Sequence, residues 1–148
     1  MNAEMNMSAN AAAVLKAGTP RDIRTRALQY ALRGVKLYQH LQKQRDGAGW
    51  ILGKQFLRAA CSIGANIEES QSGESRADFV HKLGIAEKEA RESLYWLRLI
   101  AGSGIVLTRK LKPLMKETEE LIAILASIIL STKRKKARGE QSVSIHNS

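Results

Sequence analysis

The sequence predicts an all-α fold, an antiparallel up-down-up-down four-helix bundle. Apolar residues recur every three or four positions in four successive segments, and short turn-forming runs separate these segments. Aromatic residues make up only 5% of the chain and prolines number two, which argues against a β-sandwich rich in turns. Apolar residues reach 44%, enough to build a core, so the chain is not wholly disordered.

Three regions are predicted along the chain. Residues 1–18 form a low-complexity stretch of Ala, Asn and Met, interpreted as a disordered or loosely ordered leader; a short docked helix from Ala11 to Ala17 is the alternative. Residues 19–132 form the four-helix bundle. Residues 133–148 are interpreted as a basic, flexible tail, because five Lys and Arg residues stand there against the single acidic residue Glu140.

The first two helices are predicted from apolar faces bounded by turn signals. The first begins at Thr19-Pro20, a residue able to cap followed by a proline at the first helical position, and we expect Asp46 to Gly49 to end it. The second extends from about Trp50 to Gln71. The two apolar faces comprise Ile23, Ala27, Tyr30, Leu37, Tyr38 and Leu41, then Leu52, Phe56, Ala59, Ile63, Ile67 and Ser70.

The third helix follows a break at Ser72-Gly73. Ser75 and Asp78 have the three-residue spacing of a capping pair, and the helix continues to about Ala101. Its apolar face comprises Phe79, Leu83, Ala86, Ala90, Leu94 and Leu97.

The fourth helix follows the turn Gly102-Ser103-Gly104 and is predicted to start after Thr108. Pro113 lies close to this start, so either the first turn is irregular or regular helix begins nearer Lys112. The apolar face comprises Leu111, Leu114, Met115, Leu121, Ile122, Leu125, Ile128 and Ile129.

Charge and cysteine content indicate the class of environment. The formal net charge is +10, which favours polyanionic partners. The single cysteine, Cys61, excludes an internal disulfide and fits a reducing compartment. The longest apolar stretch, around Leu121 to Leu130, is far shorter than the ~20 residues that span a bilayer. We therefore expect a cytoplasmic protein that does not act at a membrane.

No residue pattern predicts catalysis, a cofactor or a metal. The three histidines lack a second ligand at metal-binding spacing, and phosphate-loop and zinc-protease motifs are absent. Asn66 and Glu69 could be a catalytic pair, but no nucleophile stands at a matching distance. We instead expect Asn66 to set the register between helices and Ser62 to bond back to a helix carbonyl. The chain is predicted not to be an enzyme.

The order of residues in the second and third helices resembles a known family. The run from Gln55 to Glu69, followed by Ser75 to Phe79 and by Ile85-Ala86, is similar to proteins encoded in intervening sequences of 23S ribosomal RNA genes. The resemblance covers about Thr25 to Lys133, and Ser70 departs from it where the family usually has glycine. The motif positions are Arg58, Ser62, Ile63, Asn66, Ile67, Glu69, Asp78 and Phe79.

This family is similar in turn to the accessory variability proteins of diversity-generating retroelements. Those proteins are pentameric, basic barrels that bind a reverse transcriptase and nucleic acid. The resemblance therefore implies a four-helix bundle, a homopentamer, a role linked to nucleic acid and no enzymatic activity.

Second apolar stripes on two helices predict self-association. They lie on the sides opposite the core faces of the first and third helices, where a lone bundle has no use for them. Scattered exposed hydrophobic residues are the alternative interpretation. The predicted interface residues are Leu28, Leu32, Val35, Ile85, Trp96 and Leu99.

Basic residues cluster on one flank of the first helix and on the outer face of the fourth. Such arrays bind phosphate backbones mainly through charge, with little reading of sequence. Faces that are merely solvated, or a scaffold for an acidic protein partner without a nucleic-acid role, are the alternatives. The predicted RNA- or DNA-binding residues are Arg26, Arg33, Lys36, Lys43, Arg109, Lys112, Lys116 and Arg134.

Overall fold

Four antiparallel helices form a closed ring in the computed structural model, which describes residues 21–146 and the side chains of residues 23–140. The helices are α1 (Arg21–Lys43), α2 (Gly47–Gln71), α3 (Arg76–Gly102) and α4 (Thr108–His146). Each packs on the next, and α4 returns to α1; diagonally opposite helices do not touch within this part of the chain. The predicted all-α four-helix bundle is confirmed. The leader and the predicted start at Thr19-Pro20 lie outside the described residues.

The core occupies the centre of the ring, and the helical periodicity predicted most of it. Eight residues assigned to core faces are only half-buried: Leu37, Tyr38, Leu52, Phe79, Met115, Ile122, Ile128 and Ile129. Tyr30 and Phe56 meet edge to face, with ring centroids 6.0 Å apart. The fully buried residues from the predicted faces include Ala27, Tyr30, Leu41, Phe56, Ile63, Ile67, Ala86, Ala90, Leu97, Leu121 and Leu125. None of the helices in the described range is long and apolar enough to span a bilayer.

Asp46 begins the second helix, and the prediction that Asp46 to Gly49 ends the first is wrong. The first helix ends at Lys43, and the Asp46 carboxylate accepts hydrogen bonds from the amides of Ala48 and Gly49 as the N-cap of α2. A glycine further along α2 is required by packing. A Cβ on Gly53 would lie only 2.7 Å from Leu41 Cδ1, so glycine in the second turn of α2 allows the buried leucine of α1 to fit.

The starts of the third and fourth helices agree with their sequence signals. Ser75 is the N-cap of α3, and its hydroxyl accepts a hydrogen bond from the Asp78 amide at 3.1 Å. The fourth helix begins at Thr108 and runs through Pro113. Because Pro113 is so close to the helix start, its missing N–H removes only the bond that would reach Arg109.

The basic segment from Lys133 onward is helical, which corrects its prediction as a flexible tail. Helix α4 continues through it to His146. Lys, Arg and Ala have high helix propensity, and extending an existing helix needs no new nucleus. Lys136 and Glu140 also form a one-turn ion pair at 3.9 Å. The segment thus presents its cations from a helix surface.

The contact between α1 and α4 closes the ring and is the smallest of the four helix–helix contacts. At its centre the Tyr30 hydroxyl lies 2.7 Å from Thr118 Oγ1, and both side chains are fully buried. Thr118 in turn donates to the Leu114 carbonyl at 2.7 Å. Every polar atom of this link therefore has a partner, as a buried hydrogen bond requires.

Burial raises the pKa of Tyr30 to about 12, from an ordinary value of 10.0. The unfolded chain therefore loses this proton from about pH 10, whereas the folded chain retains it to about pH 12. The free energy of unfolding should fall by about 2–3 kcal/mol across this window because of Tyr30 alone. Urea denaturation of wild type and Tyr30→Phe between pH 9 and pH 12 tests this. Parallel pH curves for the two proteins would contradict a buried hydroxyl.

Arg45 lies in the turn that follows α1 and is in the left-handed region, with φ of +54°, a conformation that normally favours glycine or asparagine. A side chain in this conformation costs about 1–2 kcal/mol, whereas glycine costs about 0.5–1 kcal/mol in chain entropy. We expect Arg45→Gly to raise the free energy of unfolding by up to about 1 kcal/mol. Denaturant titration measures this, and destabilisation by the variant would contradict it.

Candidate functional site

Arg26 is held by two glutamates of α4, which corrects its place among the predicted phosphate-binding residues. Its Nε and Nη2 donate to the two carboxylate oxygens of Glu117, both at 2.9 Å, and Nη2 also reaches Glu120. The hydrogen bond to Glu117 raises the pKa of Arg26. The side chain is only 20% exposed. The two glutamates neutralise its charge, and these ion pairs join α1 to α4.

Ion pairs across α2 and α3 account for the polar residues of the family-like motif. Arg58 Nη2 donates to Glu92, and its Nη1 lies 3.5 Å from Glu89. The hydrogen bond from Arg58 lowers the pKa of Glu92. About three turns away, Lys82 Nζ donates to Glu69 at 2.6 Å. These motif residues hold two helices together at the surface.

The remaining motif residues are structural as well. Ile63 and Ile67 are fully buried on α2, and Phe79 packs half-buried against the core. Asp78 lies in the capped first turn of α3.

Asn66 bonds within its own helix, so the expectation that it sets the register between helices is wrong. Its Nδ2 donates to the Ser62 carbonyl at 2.8 Å and to Ser62 Oγ at 3.1 Å. Ser62 Oγ is thus an acceptor for Asn66, not the predicted donor to a carbonyl. Glu69 is occupied by Lys82, so Asn66 and Glu69 do not form a pair.

Five exposed cations lie at one end of the α1–α4 contact. Tyr30 with Thr118, and Arg26 with Glu117, fix the antiparallel register of these helices. In this register the C-terminal half of α1 lies beside the first turns of α4. The cations of α1 are therefore level with residues 109–116 of α4. These residues are Arg33, Lys36, Arg109, Lys112 and Lys116, and Lys43 lies at the last turn of α1. We call these six the α1–α4 basic surface.

Arg134 lies apart from this surface, although it shares a face of α4 with Lys116. Eighteen residues separate the two, which is about 27 Å along a helix. Exposed Glu119 lies one turn beyond Lys116. Of the eight predicted binding residues, six are therefore brought together, Arg26 is neutralised and Arg134 belongs to the C-terminal half of α4.

Two apolar faces remain on the outside of the bundle. Leu28 and Val35 are exposed on α1, and Cys61 is exposed on α2. Partial burial raises the pKa of the Cys61 thiol. Leu32 is half-buried next to them.

The second apolar face is formed by residues of α2 and α3. Leu99 is exposed, whereas Ile85 and Trp96 are half-buried, and Trp96 Nε1 donates to Glu92 at 3.1 Å. The sequence interpretation missed Ile51, which is 65% exposed. Ile51 precedes Arg58 by seven residues and Leu99 follows Glu92 by seven, so the Arg58–Glu92 pair places them side by side. This seven-residue spacing in the sequence could have identified Ile51 as part of the face.

No group of three or more His, Cys, Asp or Glu side chains that could hold a metal ion occurs among the described residues. His40 Nε2 lies 3.0 Å from the Gln44 amide, and His81 lines a shallow cleft with Arg76, Lys133 and Lys136.

A family model described as 23S rRNA-intervening sequence protein matches residues 21–127, which include all the helix pairs described above. The chain belongs to this family. It is similar to the crystal structure of a protein of unknown function from the S23 ribosomal protein family of Bacteroides thetaiotaomicron VPI-5482. The two are 38% identical with a TM-score of 0.68, over 72% of this chain and 97% of the other. No curated protein matches the chain significantly.

Membership in the 23S rRNA-intervening sequence protein family confirms the resemblance predicted from residues 55–86. It agrees with the structural roles found for the motif, because its residues either fill the core or join α2 to α3.

Proposed function

We propose that this protein is an oligomeric, non-enzymatic helical bundle that binds RNA or DNA through the α1–α4 basic surface. The observation that carries the proposal is that six exposed cations lie at the same end of the α1–α4 contact, and none of them forms an ion pair with a described carboxylate. A phosphate backbone supplies anions in a row and needs only charge and spacing from the protein.

The charge is concentrated because the acidic residues are used elsewhere. Eight glutamates form ion pairs within or between helices. Asp46 is occupied as an N-cap. These acidic groups are therefore not directed at the cations of the basic surface. Lys and Arg side chains on helix faces contact phosphates and not base edges. Binding at this surface should therefore be nearly indifferent to the nucleotide sequence.

Self-association would multiply this surface. The two outer apolar faces, with Leu28 and Val35 on one and Ile51 and Leu99 on the other, supply candidate contacts between copies. The resemblance to retroelement accessory proteins suggests a homopentamer and a reverse transcriptase or RNA-processing machine as partner, in the cytoplasm. Several copies of one cationic surface would bind a long polyanion with avidity.

Salt dependence tests the nucleic-acid proposal. We expect tight binding of mixed-sequence RNA and DNA at low salt, with a loss of ~10³–10⁵ in affinity between 50 and 200 mM salt if about six to ten phosphates are engaged. Arg33→Glu with Lys36→Glu should weaken binding to all sequences alike and flatten the salt slope, because both changes place carboxylates in the basic surface. Filter binding against salt measures both effects.

A matched control is Lys54→Glu with Lys88→Glu, which makes the same charge change at exposed positions of α2 and α3. This control should retain most of the affinity. Equal losses in both double variants would mean that only net charge matters. Absence of binding by wild type at low salt would reject the proposal in favour of a scaffold for an acidic protein.

Assembly is tested by Leu28→Glu. Leu28 is 59% exposed, so the monomer should tolerate the change, whereas a carboxylate buried between copies would be costly. We expect wild type to show a mass several times 16.4 kDa by light scattering, and the variant to show a smaller mass with unchanged helicity. Leu130→Glu, at a similarly exposed leucine of α4, is the control. A wild-type monomer at all concentrations would contradict self-association.

A further inference from the structure

Trp50 is a large aromatic side chain held at the surface beside a cleft. It is 54% exposed at the start of α2. Its Nε1 donates to the Tyr38 hydroxyl at 2.8 Å, which fixes the orientation of the indole. The cleft has a volume of about 350 Å³ and lies at the α1–α2 turn between Leu41, Arg45 and Trp50. This volume lies within the range of small-molecule sites, about 300–1,000 Å³.

Arg45 lines the same cleft in a strained conformation. It is the one residue other than glycine with positive φ in the described range. Its guanidinium forms no ion pair there, and neighbouring Asp46 is engaged as the N-cap of α2. Glycine would relieve the strain and complete the same turn. A strained cation next to an oriented, exposed indole indicates a site kept for a ligand rather than for stability.

We propose that this cleft binds an unpaired nucleobase of a single-stranded nucleic acid, with the base stacked on Trp50 and its phosphate at Arg45. The inference rests on the proposed function and names its ligand more closely. An indole face accepts any base by stacking, and a neighbouring arginine binds the adjoining phosphate. Bases within a duplex are stacked on each other and cannot enter, so the cleft prefers single strands.

The cleft and the α1–α4 basic surface lie at the same end of the bundle, where α1 ends and α4 begins. Lys43, the last residue of α1, stands two residues before Arg45 and belongs to that surface. A strand with one base on Trp50 can therefore continue with its phosphates along α1. In this arrangement the bundle binds most nucleotides through their phosphates and one nucleotide through its base.

The experiment compares three probes of equal length: a single-stranded oligonucleotide, its abasic counterpart and a duplex. Affinity is measured by anisotropy of a label on the probe, and indole fluorescence is followed in parallel. Wild type should bind the single strand more tightly than the abasic strand, with quenching of tryptophan fluorescence. Trp50→Ala should weaken binding of the single strand by about 5- to 100-fold, leave binding of the abasic strand unchanged, and abolish the quenching, since only Trp96 remains.

Arg45→Gly separates the role of the charge from that of the turn. Glycine suits the backbone conformation, so the fold is retained while the cation is removed. This variant should reduce the salt slope by about one and weaken binding of all three probes. The controls are Tyr95→Ala, an equally exposed aromatic residue outside the cleft, and Lys88→Gln, an exposed cation of α3.

The outcomes distinguish this inference from the proposed function. Equal affinity of wild type for base-containing and abasic strands, or normal single-strand binding by Trp50→Ala, would overturn the nucleobase site while the basic surface stands. Failure of every probe to bind at low salt would overturn both. A lower mass of Trp50→Ala in light scattering, with abasic binding reduced in parallel, would assign Trp50 to contacts between copies and overturn the inference.

Discussion

The buried hydrogen bond between Tyr30 and Thr118 is the contact on which the closed bundle depends. The α1–α4 contact is the smallest in the ring, yet it must hold the first helix against the last. Arg26 and Glu117 flank the bond with a bidentate ion pair. Because these groups are specific in geometry, they admit one register of α1 against α4. That register brings the cations of α1 level with those at the start of α4.

Acidic and basic residues have different roles in this bundle. Glutamates join helices, as Glu92 does with Arg58 and Glu69 does with Lys82. Many Lys and Arg side chains are not paired with these glutamates, and they lie on the outer faces of the bundle. Surface ion pairs contribute little to stability individually, but here they also determine where uncompensated charge remains. An array of that kind attracts a polyanion over several ångströms and favours fast, salt-sensitive association.

The α1–α2 turn combines tight packing with strain. Gly53 lets Leu41 fit between the helices, and Asp46 caps α2. Within this well-supported turn, Arg45 occupies a backbone conformation that its side chain disfavours. The surrounding contacts hold it there. Its position beside Trp50 places a cation and an exposed indole in one cleft, and the proposed nucleobase site rests on this pair.

Periodicity, capping signals and the motif from Gln55 to Phe79 were sufficient to predict four helices, most of the core and the family, because these depend on residues close in the chain. Partners distant in the chain could not be predicted in this way. The sequence does not reveal that Arg26 is neutralised by Glu117, since that contact spans 91 residues. Nor does it reveal that Arg45 and Trp50 line one cleft. Local patterns determined which faces are apolar or basic, and only the packing of helices decided which of those faces remain free.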